Sequence, residues 1–173
     1  MNALQELVTN FQDLVAQVPE ILRPLIVMLA GTIPFVEGEV AAMIGIVGGL
    51  NPIVAAIAAA SGNFLCVLVV VLLTSRARTA VVNRASASQD DAAPSKPESK
   101  GRQRFKRWLV RFGVPGASIL GPLAIPTQFT SAILVASGTR RGWVLLWQAV
   151  AIVIWTTVTT VSIWAAMTYV VGV

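Results

Sequence analysis

Glu37 and Glu39 carry the sharpest chemical signal in this 173-residue chain, because both carboxylates interrupt a stretch, residues 21–50, that is mostly apolar. A charged group within a membrane segment is costly and as a rule faces a cavity or a substrate path. The two glutamates are two residues apart, which puts them on different sides of a regular helix. They share one site only if the chain is broken there, and Pro34 and Gly38 permit that break. Burial and mutual repulsion would then raise the proton affinity of one of them, the arrangement expected of a proton-coupled transporter. The competing role is structural, with a glutamate capping a half-helix or sitting at the membrane interface.

Polar groups elsewhere in the apolar segments are the next candidates. Thr127 and Gln128 follow Ile125-Pro126 and are placed to hydrogen-bond either a substrate or the broken backbone. Asn63 lies inside a long apolar run, where an amide needs a partner on another helix. Asn51 and the cluster Thr156, Thr157, Thr159, Thr160 and Ser162 are possible wet faces, although such hydroxyls often bond their own preceding carbonyls. Arg140 and Arg141 would attract an anionic lipid head group, or simply mark the cytoplasmic side. With no histidine and the single cysteine Cys66, a zinc site, a His-dependent triad and an intrachain disulfide are excluded by inventory. No metal or cofactor is expected, and no nucleophile and base pair suggests an enzyme.

The elements that must position these residues follow from composition. Hydrophobic residues make up 55% of the chain and charged ones 12%, with a mean hydropathy of +0.75, so lipid is the expected solvent. In residues 1–19 the apolar positions Leu4, Leu7, Val8, Phe11, Leu14, Val15 and Val18 recur at helical spacing, predicting an amphipathic interfacial helix. The N-terminus lacks the basic start and cleavage pattern of a removable signal peptide. Residues 20–75 form a first repeat, with a broken hairpin around Pro34 and then a transmembrane helix over residues 53–74, which hold no charge. In that helix Ala55, Ala58, Ala59 and Gly62 predict a close-packing face. Residues 76–101 are rich in Ser, Ala, Asp, Lys and Pro and read as a disordered linker. Residues 102–173 form a second repeat, with a basic amphipathic helix around Phe105, Trp108, Leu109 and Phe112, a hairpin broken at Pro126, and a spanning helix over residues 143–171.

Both repeats run in the same order, and Gly45 after Ile33-Pro34 is matched by Gly138 after Ile125-Pro126. Ten of the thirteen Lys and Arg residues fall between Arg76 and Arg111, which makes that loop cytoplasmic by the positive-inside rule. Arg140 and Arg141 follow the second hairpin and are kept on the same side only if that hairpin is re-entrant. By symmetry the first hairpin enters from outside, where Glu6, Asp13 and Glu20 also lie. The expected fold is therefore an all-α integral membrane protein, an inverted repeat of amphipathic helix, re-entrant broken hairpin and transmembrane helix.

The stretch Ile33-Pro34-Phe35-Val36-Glu37-Gly38-Glu39, followed by Gly45, Asn51-Pro52 and Gly62-Asn63, resembles the small multidrug export protein family, a branch of the DedA and VTT-domain superfamily. Arg111-Phe112-Gly113 through Ile125-Pro126 to Gly138 is similar to that superfamily's second hairpin. The resemblance implies two opposed re-entrant hairpins, a bacterial plasma-membrane location, and proton-linked movement of an amphiphile, either a drug-like cation or a phosphorylated lipid carrier. It carries the acidic hairpin positions onto Glu37 and Glu39. Residues 123–137 hold no arginine, a departure from the superfamily pattern that fits a cationic substrate better than a lipid phosphate. Expected partners are membrane lipid, an amphiphilic substrate, protons and a second copy of the chain, but not nucleic acid. A non-transporting scaffold that recruits lipids or partners through its basic stretch is the alternative.

Overall fold

The computed structural model describes residues 17–87 and 113–171, together with Glu6, Thr9, Asn10 and Asp13. The chain is all-helical, with no strand among the described residues. A 3-10 turn, Glu20–Leu22, leads into α1 (Arg23–Gly31), α2 (Glu37–Val47) and the long α3 (Pro52–Ala87). After the undescribed segment come α4 (Val114–Leu120), a 3-10 turn (Gly121–Leu123), α5 (Thr127–Ala136) and the long α6 (Arg141–Ala166), which widens into a π-helical end over Met167–Val171. Of the expected N-terminal helix, Glu6, Thr9, Asn10, Asp13 and Gln17 are helical and exposed, whereas most of its apolar positions lie outside the described residues. The basic stretch 102–111 also lies outside them.

Two helices, α3 and α6, are long and apolar enough to cross a membrane. Only 28% and 33% of their most apolar stretches are buried, which separates them from the core helices of soluble proteins. Ile53, Ile57, Val69 and Leu73 on α3, and Val153, Val158 and Val161 on α6, turn outward. Water would penalise such a surface, whereas hydrocarbon would not.

Each broken segment folds back on itself. The arms α1 and α2 have nine and eleven residues, or about 14 and 17 Å at 1.5 Å per residue, roughly half of a bilayer core. They pack against each other, as do α4 and α5. Pro34 sits in the exposed turn of the first hairpin, where Thr32, Ile33 and Val36 donate to the carbonyls of Leu29, Ala30 and Ile33. Pro126, in extended backbone, immediately precedes α5 and cannot continue the preceding helix.

The exit from both hairpins is the same. Gly49 (φ 84°) and Gly138 (φ 99°) adopt left-handed backbone that a side chain would strain. Leu50 N donates to Gly45 O and Thr139 N to Leu134 O, the long bond of a Schellman cap. The sequence pairing of Gly45 with Gly138 is thereby corrected. The counterpart of Gly138 is Gly49, while Gly45 is buried inside α2, where a Cβ would lie 2.9 Å from that of Ala55. The helix α3 also continues past residue 75 to Ala87, so the part of the expected linker that is described is helical. Arg and Ala propagate an existing helix at little cost, and residues 76–86 are all exposed.

The chain divides into two compact units. The first comprises residues 1–67 and 149–173, the second 68–148. Each contains one broken hairpin and one part of each long helix. The core of the first is built from Ile26, Val27 and Ala30 of α1, Val36, Ala41, Ala42 and Ile44 in or beside α2, and Ala58 and Ala59 of α3. Helix α1 lies so close to α3 that a Cβ on Gly31 would be 2.6 Å from Ala59 O, and one on Gly62 would overlap the Met28 carbonyl. The expected small-residue face of α3 is this contact.

Candidate functional site

Glu37 opens α2 at the turn of the first hairpin and is 6% exposed. Its φ of 48° places it in the left-handed region, and Phe35 (φ 70°), two residues earlier, is the other non-glycine with positive φ among the described residues. Such backbone costs on the order of 1 kcal/mol per residue or more and is concentrated at functional sites. The backbone is nonetheless anchored, since Glu37 N donates to Ile33 O at 3.0 Å. Glu39, in the same first turn, is half-buried. Both carboxylates meet the positive end of the α2 dipole, which favours negative charge there.

Around Glu37 the first unit gathers its buried polar groups. Gly38 faces α6 so closely that a Cβ on it would overlap the Thr156 hydroxyl, and would lie 3.8 Å from Asn63 Nδ2. Asn63 is fully buried and Thr156 is 2% exposed. One turn further along α6, Thr160 is also buried. The structure therefore selects two members of the hydroxyl cluster, since Thr157 and Ser162 are exposed and Ser162 bonds Val158 O at 2.8 Å. Asn51 is a cap, its Oδ1 accepting from Ile53 N at 2.9 Å. Pro24, Leu25, Met28, Val54, Ile57, Ala58 and Ser61 line an apolar cleft of about 360 Å³.

The second unit holds a separate polar group. Thr127, Gln128, Thr130 and Ser131 are buried along α5, with Ser131 Oγ donating to Thr127 O at 2.6 Å and Thr130 Oγ1 to Pro126 O at 3.4 Å. Gln148 of α6 and Ser118 of α4 are fully buried here too, and among the described residues neither side chain has a hydrogen-bond partner. Sequence reasoning passed over Gln148, although it is the single amide in residues 143–171. It also passed over Gly38 as a contact, because only packing shows which helix a glycine admits.

Arg140 and Arg141 are exposed at the start of α6. Positive charge at a helix N-terminus opposes the dipole, so helix stability does not account for them. Trp143 and Trp147 stack edge to face beside them, with ring centroids 5.8 Å apart, as suits a membrane interface. Among the described residues no three His, Cys, Asp or Glu side chains converge as a metal site. No protein-family model, curated protein or solved structure matches this chain.

Proposed function

We propose that this chain is an integral membrane transporter or flippase that moves an amphiphilic substrate, with Glu37 as its proton site. The observation that carries this reading is Glu37 itself, an ionisable side chain buried in left-handed backbone where a broken hairpin turns. Two carboxylates with no arginine in residues 123–137 favour a drug-like cation over a phosphate-bearing lipid. Glu39 and Asn63 line the path in this reading, and Arg140 and Arg141 hold lipid head groups. The resemblance to the small multidrug export family points the same way.

Within each unit an arginine lies at the exit of the broken hairpin. Arg23, at the start of α1, donates through Nη1 to Gly48 O at 3.3 Å, which ties the entry of the first hairpin to its exit, just before α3 begins. In the second unit, Arg78 lies against Gly138, where a Cβ would be 2.8 Å from its Nη2. Each guanidinium also meets the negative end of a helix, a favourable placement.

Two experiments test this reading. Thr139→Cys in a Cys66→Ala background is expected to react with an impermeant maleimide from the cytoplasmic face; reaction from outside would mean that the second segment spans. Efflux of the lipophilic cation ethidium from cells producing the protein is expected to depend on external pH, and Glu37→Gln to lower it about tenfold or more and flatten that dependence. Wild-type efflux in the variant would defeat the assignment.

A further inference from the structure

We propose that Arg78, Arg140 and Arg141 form a clamp for the phosphate of an anionic phospholipid at the exit of the second hairpin. The inference rests on the reading of Arg140 and Arg141 as head-group residues, adds a third ligand to them and names the class of lipid. Charge is divided unevenly along the chain. Residues 68–148, the second unit, hold twelve of the thirteen Lys and Arg residues but three of the eight Asp and Glu residues. Those three acids, Asp90, Asp91 and Glu98, lie in residues 88–112, where seven Lys and Arg residues outnumber them, so the unit has no counter-charge to spare for its other arginines. Arg78, Arg140 and Arg141 are exposed, and among the described residues no hydrogen bond or ion pair engages any of them.

Their placement makes one site of them. The Arg78 guanidinium lies on the exit turn, since a Cβ on Gly138 would be 2.8 Å from its Nη2 and 3.4 Å from its Cζ. Arg140 and Arg141 follow Gly138 by two and three residues, at most about 7 and 11 Å along the chain. Arg76, by contrast, is about 200° away from Arg78 around α3. The planar forks of several arginines suit a phosphate, whose oxygens accept charge-assisted bonds from each. What adjoins the arginines favours a lipid over a soluble phosphate. Leu73 precedes Arg78 by five residues and Leu146 follows Arg141 by five, and both are exposed, so apolar surface begins about 7.5 Å along each helix. Trp143 lies within that interval, edge to face with Trp147, as aromatic rings do at head-group depth. A net-negative head group is preferred, because a zwitterionic one brings a cation that three guanidiniums repel.

Native mass spectrometry of the full-length protein in dodecyl maltoside reads the affinity for the first lipid bound, with phosphatidylglycerol, phosphatidylcholine and inorganic phosphate as the probes. Phosphatidylglycerol is expected to bind about tenfold or more tighter than phosphatidylcholine. Arg78→Gln, and Arg140→Gln together with Arg141→Gln, are each expected to weaken phosphatidylglycerol about fivefold or more and to leave phosphatidylcholine unchanged, which also shows that the variants are folded. Arg76→Gln removes the same charge as Arg78→Gln and is expected to stay within about twofold of the wild type. Equal losses from these two variants would reduce the clamp to diffuse attraction and overturn it. So would equal affinity for the two lipids, or displacement of the lipid by millimolar inorganic phosphate, which would make a soluble anion the ligand. Tighter phosphatidylglycerol binding after Asp90→Asn, Asp91→Asn and Glu98→Gln would overturn it too, because the chain's own acids would then hold the site. If the Arg140 and Arg141 pair weakens binding while Arg78→Gln behaves like Arg76→Gln, the head-group reading stands and the clamp fails. If the pair has no effect, the head-group reading itself fails.

Discussion

Gly62→Ala is expected to disrupt the packing of α1 on α3 and to lower stability by about 3 kcal/mol, the upper end of what overpacking costs. The added methyl would overlap the Met28 carbonyl, and a backbone atom cannot yield by changing rotamer. Gly31 faces Ala59 O across the same contact, so the two helices have no nearby register in which both glycines are relieved. Thermal aggregation of the purified protein, with the monodisperse fraction after extraction, checks the effect. Gly116→Ala and Gly142→Ala are the controls, since a Cβ at either position meets nothing within 4 Å. Each control is expected to keep or raise stability, because alanine is the better helix former by up to about 1 kcal/mol. Equal behaviour of Gly62→Ala and the controls would show that α1 and α3 do not approach as described.

Gly38→Ala is expected to destabilise by about 1–3 kcal/mol for a different reason, and that reason predicts a rescue. Here the obstacle is the Thr156 hydroxyl, a side-chain atom. Thr156→Ala removes it, so the double variant should recover much of the loss, with a coupling of about 1 kcal/mol or more. No single side-chain truncation should rescue Gly62→Ala in this way, because its obstacle is backbone. The same pair tests the site, since Gly38 sets how near the Glu37 turn comes to α6. Strictly additive losses would mean that Gly38 and Thr156 do not touch.

Much of the architecture was legible in the residues because the solvent is so restrictive. Hydrocarbon requires about 20 uncharged residues for a spanning helix, and residues 53–74 and 143–171 meet that demand without tertiary help. Ile33-Pro34 and Ile125-Pro126 likewise announced the two breaks, since proline supplies no donor to continue a helix. Glu37 announced itself as a candidate by its charge alone. Other choices depended on distance. Gly45 and Gly49 are equally good cap residues by type, and the left-handed φ and the Leu50 to Gly45 bond decide for Gly49. The end of α3 was misplaced because the Arg, Ala and Val residues after Arg76 suit a helix once one has been started.

The site divides along the same line. Five hydroxyl residues in 156–162 were indistinguishable as a pattern, and burial separates Thr156 and Thr160 from Thr157 and Ser162, with Thr156 set against Gly38 of the first hairpin. Gly38 was visible as a residue that loosens a helix, but the helix it admits was not. By itself, then, the sequence determined which helices are long and apolar enough to cross a membrane, where the chain breaks and which acids lie at the break, because these follow from local chemistry. Only the tertiary structure decided which buried hydroxyl faces Gly38, beside Glu37, and which glycines let backbones touch, because those depend on residues from 28 positions apart (Gly31 and Ala59) to 118 apart (Gly38 and Thr156) meeting within a few ångströms.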